Sequence, residues 1–238
     1  GGCTIPLRQK ETIKSMMKIL NAAGLTIAYS RDEWCCGSIG LRIGDEKSIM
    51  EIINHNLKAY RETGANTLFT ACAGCYRTLK KDYPELLGEE LPFEVKHITE
   101  ILNEIISANK IPFKPYQGEV LKVTYHDPCH LGRHMNLYEV PREIIAKIPG
   151  VKIVEMKRNR NNAWCCGAGG GVKSQFPDLA LEISKERIKE AIESGADVLT
   201  TSCPFCFENL KNAYDDIDPE IKEEIKLIDI LDLIASRI

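Results

Sequence analysis

The chain has 238 residues, 44% of them hydrophobic, and its formal net charge is −3. This length is enough for one large domain or for two small ones with cores of their own. The small net charge and the lack of an arginine-rich stripe argue against a nucleic-acid partner. No apolar run approaches the roughly 18 residues of a membrane-spanning helix. We therefore predict a cytoplasmic protein.

The cysteine content is the most unusual part of the composition, because the chain contains 10 cysteines. Many cysteines usually indicate a disulfide scaffold, but such scaffolds are small secreted domains that cannot build a sufficient core. This chain is long and rich in helix-forming residues. Metal or redox chemistry is therefore the better explanation.

The cysteines form two copies of one pattern, C…CCG…CxxC, with none left over. In the first copy, 31 residues separate the first cysteine from the adjacent pair, and 35 separate the pair from CxxC. The corresponding separations in the second copy are 35 and 36 residues. The first set consists of Cys3, Cys35, Cys36, Cys72 and Cys75, and the second set of Cys129, Cys165, Cys166, Cys203 and Cys206.

The similarity between the copies extends beyond cysteine. The tetrapeptide WCCG occurs in both, and residues 51–72 align without a gap with residues 182–203. Prolines and a glycine interrupt the stretch at residues 107–119, where the copies join. We infer a duplication and predict one domain at residues 1–110 and a second at residues 119–238.

Hydrophobic periodicity predicts the same kinds of element in both copies. The apolar face of a first-copy helix ended by Gly64 comprises Ile49, Ile53, Leu57 and Tyr60. The strand after it covers residues 67–70, and the final strand and helix of that copy cover residues 93–95 and 98–106. Second-copy strands are predicted at residues 120–125, 151–156, 198–201 and 225–228. Second-copy helices are predicted at residues 141–147 and 231–234. A further helix of this copy runs through Ile192 and is ended by Gly195.

Alternating strands and helices indicate an α/β fold, with one Rossmann-like unit and one small parallel sheet per copy. We expect a pseudo-twofold axis between the units and cysteines in loops after the strands, where open α/β folds bind ligands. A strand precedes Cys129, whereas only two residues precede Cys3. If the copies share a fold, the leading strand of the first copy lies upstream of Gly1.

Five thiolates per copy are one more than a cubane iron–sulfur cluster or a structural zinc ion requires. Adjacent cysteines are poor disulfide partners, but both can bind one multi-iron cluster by reaching different irons. Neighbouring glycines let the backbone approach the sulfurs and offer N–H donors. These candidate cofactor-binding glycines are Gly37, Gly167, Gly169 and Gly170. We predict iron–sulfur centres on all the cysteines, with zinc in one copy as the rival.

Candidate catalytic residues come from the histidines and basic residues near the cysteines. His126, His130 and His134 surround Cys129 and can bind metal, donate protons to a leaving thiolate, or cap the following helix. Positive charge is also needed beside several thiolates and sulfides. The candidate catalytic set is therefore His130, His134, Lys173 and Arg42.

The duplicated pattern resembles the cysteine-rich CCG domain family over essentially the whole chain. That family includes catalytic subunits of heterodisulfide reductase from methanogenic archaea, and iron–sulfur subunits of fumarate reductase, hydroxy-acid oxidases and anaerobic glycerol-3-phosphate dehydrogenase. Residues 72–77 and 126–130 are most similar to the larger, membrane-partnered type of heterodisulfide reductase subunit. That type carries a ferredoxin-like domain ahead of the repeats, which agrees with a missing leading strand here.

The resemblance implies a noncubane [4Fe–4S] cluster on each set of five cysteines. It implies that the disulfide of coenzyme M and coenzyme B, or a similar disulfide, binds between the clusters and receives one electron from each side. The implied partners are other redox subunits: a ferredoxin-like domain, a flavoprotein, or a membrane cytochrome b subunit that holds the protein at the inner face of the membrane. The chain is then the catalytic portion of an electron-transport oxidoreductase.

Two other functions stay open at the level of sequence. The chain can be an electron-transfer subunit of a fumarate reductase, hydroxy-acid dehydrogenase or glycerol-3-phosphate dehydrogenase complex, and a flavoprotein should then co-purify. It can also be a zinc or thiol-redox protein without clusters, which would be colourless. The pair Cys203 and Cys206 alone resembles a thioredoxin-type dithiol, although that leaves three cysteines of the same copy unexplained.

Overall fold

The computed structural model describes residues 2–238, apart from the side chain of Glu46. Its strands are β1 (Thr67–Thr70), β2 (Glu94–His97), β3 (Leu121–Tyr125), β4 (Val151–Ile153), β5 (Val198–Thr201) and β6 (Lys226–Asp229). Its helices are α1 (Thr4–Arg8), α2 (Lys10–Ala22), α3 (Ser38–Ile43), α4 (Glu46–Arg61), α5 (Ala73–Arg77), α6 (Tyr83–Leu87), α7 (Ile98–Ser107), α8 (Glu139–Ala146), α9 (Val172–Gln175), α10 (Pro177–Glu193), α11 (Pro204–Asp216), α12 (Pro219–Glu224) and α13 (Ile230–Ala235). A π-helical turn at Thr78–Asp82 connects α5 to α6, and a 3₁₀ turn lies at Arg160–Asn162.

The strands pair in parallel, as the alternation of strands and helices predicts. β1 and β2 form a two-stranded sheet, and the other sheet has the order β4-β3-β5-β6. The strands predicted at residues 67–70 and 198–201 are confirmed to the residue, and β5 is buried along its whole length. The α/β class with two small parallel sheets is therefore confirmed.

One predicted strand is shorter than expected. The strand predicted at residues 151–156 ends at Ile153, because β4 pairs only with residues 121–123 of β3. In the first half, residues 25–28 alternate between half-buried and exposed positions but form no strand. In the second half β4 pairs with β3. Among the described residues, the first half has no strand that corresponds to β3.

The predicted helix face in the first half is confirmed, because α4 buries Ile49, Ile53, Leu57 and Tyr60. Gly64 follows α4 with a φ of 67°, in the left-handed region that glycine adopts without strain. Such a residue ends a helix by satisfying its last carbonyl groups. None of the helices in the described part of the chain combines the length and apolar content that crossing a bilayer requires.

Helices of each half pack against the other half. α2, from the first half, packs on α13, while α8, from the second half, packs on α7. Thr12 donates a hydrogen bond to Asp232 at 3.0 Å, and Lys18 Nζ donates to the carbonyl of Ala235 at 2.9 Å. Ile19 is fully buried in the apolar core that these helices share. The two halves therefore stabilise each other, because each packs a helix against a helix of the other half.

We expect Ile19→Ala to lower the free energy of unfolding by about 2–5 kcal/mol, because it leaves a cavity between α2 and α13. The measurement is anaerobic urea unfolding followed by circular dichroism. Leu7→Ala is the control, because Leu7 is 76% exposed, and we expect a change within about 0.5 kcal/mol. Equal stability of the two variants would contradict the packing of α2 on α13.

Candidate metal centre

All ten cysteines lie around one cavity of about 110 Å³. Cys72 follows β1 and Cys203 follows β5, so the ends of two parallel strands deliver one cysteine from each set. The CxxC spacing places the second cysteine of each motif on the same helix face as the first. The prediction that the cysteines lie in loops is wrong for Cys75 and Cys206, which lie in the first turns of α5 and α11.

The ten thiols are free, and the two sets meet inside the cavity. In the first set, Cys36 and Cys75 perturb each other's pKa, and the pKa of Cys75 is raised well above its ordinary value mainly by Cys36. Between the sets, the Cys203 thiol is the main cause that holds the pKa of Cys72 well below its ordinary value. Cysteines of both sets thus lie around the same cavity beside the ends of β1 and β5.

The two Cys-Cys-Gly loops have the same geometry. Gly37 has a φ of 80° and Gly167 a φ of 85°, and each lies directly after a cysteine pair. The Gly37 amide donates to Cys35 Sγ at 3.5 Å, and the Gly167 amide donates to Cys165 Sγ at 3.4 Å. A Cβ on Gly167 would lie 2.8 Å from the carbonyl oxygen of Ala180, which leaves no room for a side chain. These amides therefore provide positive ends of dipoles for thiolates.

The Cys-Cys-Gly loop of the first half is fixed by a buried asparagine that the sequence did not single out. Asn56 Nδ2 donates to the carbonyl of Cys35 at 3.1 Å, and its Oδ1 accepts from the Trp34 amide at 2.8 Å. Tyr83 donates to the carbonyl of Cys36 at 3.2 Å. The available signal was a polar residue, Asn56, on the otherwise apolar face of α4.

The second loop is held by different residues that were also missed. Ser184 Oγ and Asn209 Nδ2 both donate to the carbonyl of Cys166, each at 2.6 Å. Asn209 also donates to Ser184 at 2.9 Å, so both side chains are fixed. Their spatial pairing joins α10 to α11, and nothing in the local sequence indicates it.

A buried ion-pair network holds the loop before Cys129. Arg142 Nη1 and Nη2 contact the two Asp127 oxygens at 2.7 and 2.9 Å, and Arg142 Nε contacts Glu155 at 2.7 Å. The Arg160 amide donates to Asp127 at 2.8 Å. Such a bidentate pair fixes both distance and orientation. The network therefore positions Cys129 relative to the remaining thiols.

The three predicted histidines occupy different environments. His126 is buried, and one ring nitrogen lies within 4.8 Å of the Cys166 and Cys206 sulfurs. Burial, reinforced by a nearby arginine, lowers the pKa of His126 to about 4. His130 is half-buried, lines the cavity, and has a pKa lowered to about 4, mainly by burial. His134 is exposed, with its ring centroid 5.2 Å from that of His130.

The other predicted site residues are divided between the cavity and its surroundings. Arg42 lines the cavity and forms an ion pair with Asp82. Gly169 and Gly170 also line the cavity. Lys173 is half-buried outside the lining, and burial lowers its pKa. The structure thus brings Arg42 and His130 to the thiols, but not Lys173.

The donor set fits iron–sulfur clusters. Thiolates are the ligands that hold such clusters, and amides beside the sulfurs stabilise their negative charge. Both features are present around the cavity, which also receives sulfurs from both halves. The group formed by His126, Cys166 and Cys206 also satisfies the separations of a metal site. The first set and the second set are accordingly the residues able to hold metal.

Comparison with known proteins gives a consistent picture. The cysteine-rich domain called CCG matches residues 1–80 and 123–211. One of the subunits of the dihydromethanophenazine:CoB–CoM heterodisulfide reductase of Methanosarcina acetivorans is 44% identical over 99% of this chain and 57% of its own length. A fumarate reductase (CoM/CoB) subunit of Methanothermobacter marburgensis is 35% identical over 98% of this chain and 44% of its own length. The chain thus spans about half the length of such relatives.

More distant similarities add less. The EtfAB:quinone oxidoreductase of Syntrophomonas wolfei is 29% identical over 98% of this chain and 33% of its own length. Among solved structures, a putative Asp/Glu racemase from Yersinia pestis has a TM-score of 0.39 and 12% identity, covering 97% of this chain and 93% of that chain. A similarity this low supports no inference about function.

We expect Arg142→Met to lower the free energy of unfolding by about 3–5 kcal/mol, because it leaves the buried Asp127 carboxylate without its partner. Lys185→Met is the control, because Lys185 pairs with Glu182 and Asp216 at the surface, where solvent screens ion pairs and little stability is lost. Denaturant unfolding measures both. A similar loss in the two variants would show that the Asp127–Arg142 pair is not a structural anchor.

Proposed function

Because the chain belongs to the cysteine-rich CCG domain family, we propose that it is the catalytic iron–sulfur portion of a disulfide-reducing oxidoreductase. The observation that carries this proposal is the single cavity lined by two complete sets of five thiols. A protein that only relayed electrons would have no need for two sets that face the same cavity. Cys72 and Cys203 both line this cavity, which supports a substrate position between the sets.

In this proposal each set of five cysteines holds one [4Fe–4S] cluster of the noncubane type. The divisions at residues 1–110 and 119–238 are then two Rossmann-like units related by a pseudo-twofold axis. The reciprocal packing of α2 on α13 and of α8 on α7 supports such an axis, as do the matching Gly37 and Gly167 amide contacts. Zinc in one of the sets remains the competing occupant.

The reaction we propose is the reduction of a mixed disulfide, R–S–S–R′, to two thiols. The sulfur–sulfur bond breaks, and two electrons and two protons are consumed. The clusters, when bound, supply the electrons. The name of the Methanosarcina relative points to the coenzyme M–coenzyme B heterodisulfide or a similar disulfide as the substrate.

His130 is the proposed route for protons into the cavity. It comes from the second half, yet a Cβ on Gly74, between the first-half cysteines Cys72 and Cys75, would lie 3.5 Å from its Nδ1. It therefore lies beside both sets. The exposed His134 ring stacks edge-on behind it and connects it to solvent. Because burial lowers the pKa of His130 to about 4, the ring is neutral near pH 7, and its proposed role is to pass a proton from solvent to a leaving thiolate.

Arg42 is proposed to balance negative charge in the cavity. Asp82 contacts Arg42 and lies 3.6 Å from Arg77, so one carboxylate serves two guanidinium groups. The excess positive charge faces the thiols from the first half. Lys173 does not line the cavity, so we propose that it contributes positive charge near the second set without contacting the substrate.

Electrons must reach the cavity from other redox groups. We propose that the partners are a ferredoxin-like domain, a flavoprotein or a membrane cytochrome b subunit. Both the Methanosarcina and the Methanothermobacter relative are named as parts of multi-subunit enzymes, which supports assembly with other redox subunits. A cytoplasmic position, at the inner face of the membrane when such a partner holds it there, is part of this proposal.

An electron-transfer role is the second candidate. It is favoured by similarity to proteins named as part of a fumarate reductase and as an EtfAB:quinone oxidoreductase. In that role the chain carries electrons between a flavoprotein and another acceptor. The disulfide-reducing and electron-transfer roles differ in whether both cysteine sets must be loaded for a disulfide to be cleaved.

We expect Cys75→Ser and Cys206→Ser, which alter the same motif position in the two sets, each to lower iron and sulfide per chain to about half and to abolish disulfide cleavage. Iron, sulfide and zinc analysis with a thiol-release assay on the purified complex measures this. Cleavage that continues with one loaded set would favour electron transfer. A wild-type chain with zinc and no iron would contradict both functions.

We expect His130→Gln to lower kcat for disulfide cleavage about 100-fold while KM changes little, because a general acid is lost and the iron ligands stay. Steady-state kinetics and iron analysis measure this. His55→Gln is the matched control, since His55 lies outside the cavity lining. An unchanged kcat in His130→Gln would remove His130 from the proton route.

A further inference from the structure

His126 is held by an arginine that sequence analysis did not identify. The His126 ring lies just after β3 and is fully buried. Its Nδ1 atom lies 3.1 Å from Nε of Arg187, a residue of α10. A guanidinium group can only donate hydrogen bonds, so Nδ1 must be the acceptor. The neutral ring therefore carries its proton on Nε2.

Arg187 has no freedom to release this contact. Its side chain is fully buried, and Nη1 contacts Glu190 at 2.6 Å and the carbonyl of Arg158 at 2.8 Å. Glu190 also accepts a hydrogen bond from the Arg158 amide at 2.6 Å. A proton on Nδ1 of His126 would oppose the Arg187 N–H group. The tautomer of His126 is thus fixed by packing.

The remaining ring nitrogen is the one able to act on the sulfurs. His126 Nε2 is buried and has no hydrogen-bond partner among the described residues. A ring nitrogen of His126 lies within 4.8 Å of the Cys166 and Cys206 sulfurs. An imidazole nitrogen that carries a proton cannot bind a metal, because its lone pair is not available. The same nitrogen is a good N–H donor to a sulfur.

We infer that His126 is a fixed hydrogen-bond donor toward a cluster held by the second cysteine set and not a metal ligand, and that Arg187 is the positioning residue that sets its tautomer. The inference rests on the proposed function in one respect, which is that the second set holds a cluster. Hydrogen bonds to cluster sulfurs raise the reduction potential, because they stabilise the more negative reduced state. His126 therefore raises the potential of the second cluster.

The first half has a different residue at the corresponding place. In the gapless alignment of residues 51–72 with residues 182–203, Asn56 stands where Arg187 does. The Asn56 amide is occupied by the Cys35 carbonyl, the Trp34 amide and a tyrosine hydroxyl. The first half therefore has no guanidinium at this position. We expect the two clusters to differ in potential, the second being the more easily reduced.

The test uses the cluster-loaded complex and pulsed electron paramagnetic resonance, with and without ¹⁵N-histidine and deuterated water. For the second cluster we expect an exchangeable deuterium coupling and only a weak histidine nitrogen coupling. A strong nitrogen coupling, typical of a directly bound ligand, would overturn the inference. This measurement needs no variant and does not depend on mutant folding.

Variants of His126 distinguish a hydrogen-bond donor from a metal ligand. His126→Leu should keep its iron, lose the part of the deuterium coupling that His126 contributes while that of the Gly167 amide remains, and shift the potential of the second cluster downward. His126→Gln should restore both, because Arg187 can donate to the amide oxygen and leave the NH₂ group facing the sulfurs. His55→Leu, outside the cavity lining, is the control and should change neither. Loss of iron in both His126 variants would identify a ligand instead.

The positioning role of Arg187 has its own readout. Arg187→Gln combined with Glu190→Gln removes the guanidinium without leaving an isolated buried charge. We expect this double variant to keep its iron and to show a weakened deuterium coupling. An unchanged coupling would contradict the role of Arg187. A wild-type chain without iron would overturn the proposed function and this inference together, whereas a loaded chain insensitive to His126→Leu would overturn the inference alone.

Discussion

The constraint on which the rest of the structure depends is the meeting of two strand ends at one cavity. Cys72 follows β1 and Cys203 follows β5, so that the cavity receives sulfurs from both halves. The packing of α2 on α13 and of α8 on α7 keeps the two halves together, because separating the halves would expose apolar surface on both. The two cysteine sets therefore share one cavity and do not lie at two separate places in the molecule.

In each half, buried polar side chains fix the loops that carry the cysteines. Asn56 fixes the first Cys-Cys-Gly loop, Asn209 fixes the second, and Arg142 fixes the turn before Cys129 through Asp127. Asn56 and Asn209 satisfy backbone carbonyls that would otherwise be buried without partners, and Arg142 does the same for the buried Asp127 carboxylate. The cysteine loops are thus positioned by contacts that involve no metal, which suits a preorganised site.

The two sets are similar in their ligands and different in their surroundings. Asn56 and Arg187 occupy equivalent positions, but one supports a loop and the other fixes the tautomer of His126. Ser184 and Asn209 take over the loop-holding role in the second half, which frees that position for arginine. If each set holds a cluster, as we propose, these unequal surroundings give the two clusters different reduction potentials.

The pattern of residues alone was sufficient for the parallel α/β class, for β1 and β5 to the residue, and for the ten cysteines, because periodicity and spacing are local properties of a chain. It also led to Arg42 and His130, which do line the cavity. It could not reveal the Arg187–His126 contact, whose partners are 61 residues apart, or the hydrogen bonds by which Ser184 and Asn209 hold the second loop. Those depend on how helices and strands pack in three dimensions. Packing of that kind depends on the shapes and buried polar groups of whole elements, which no single stretch of sequence contains.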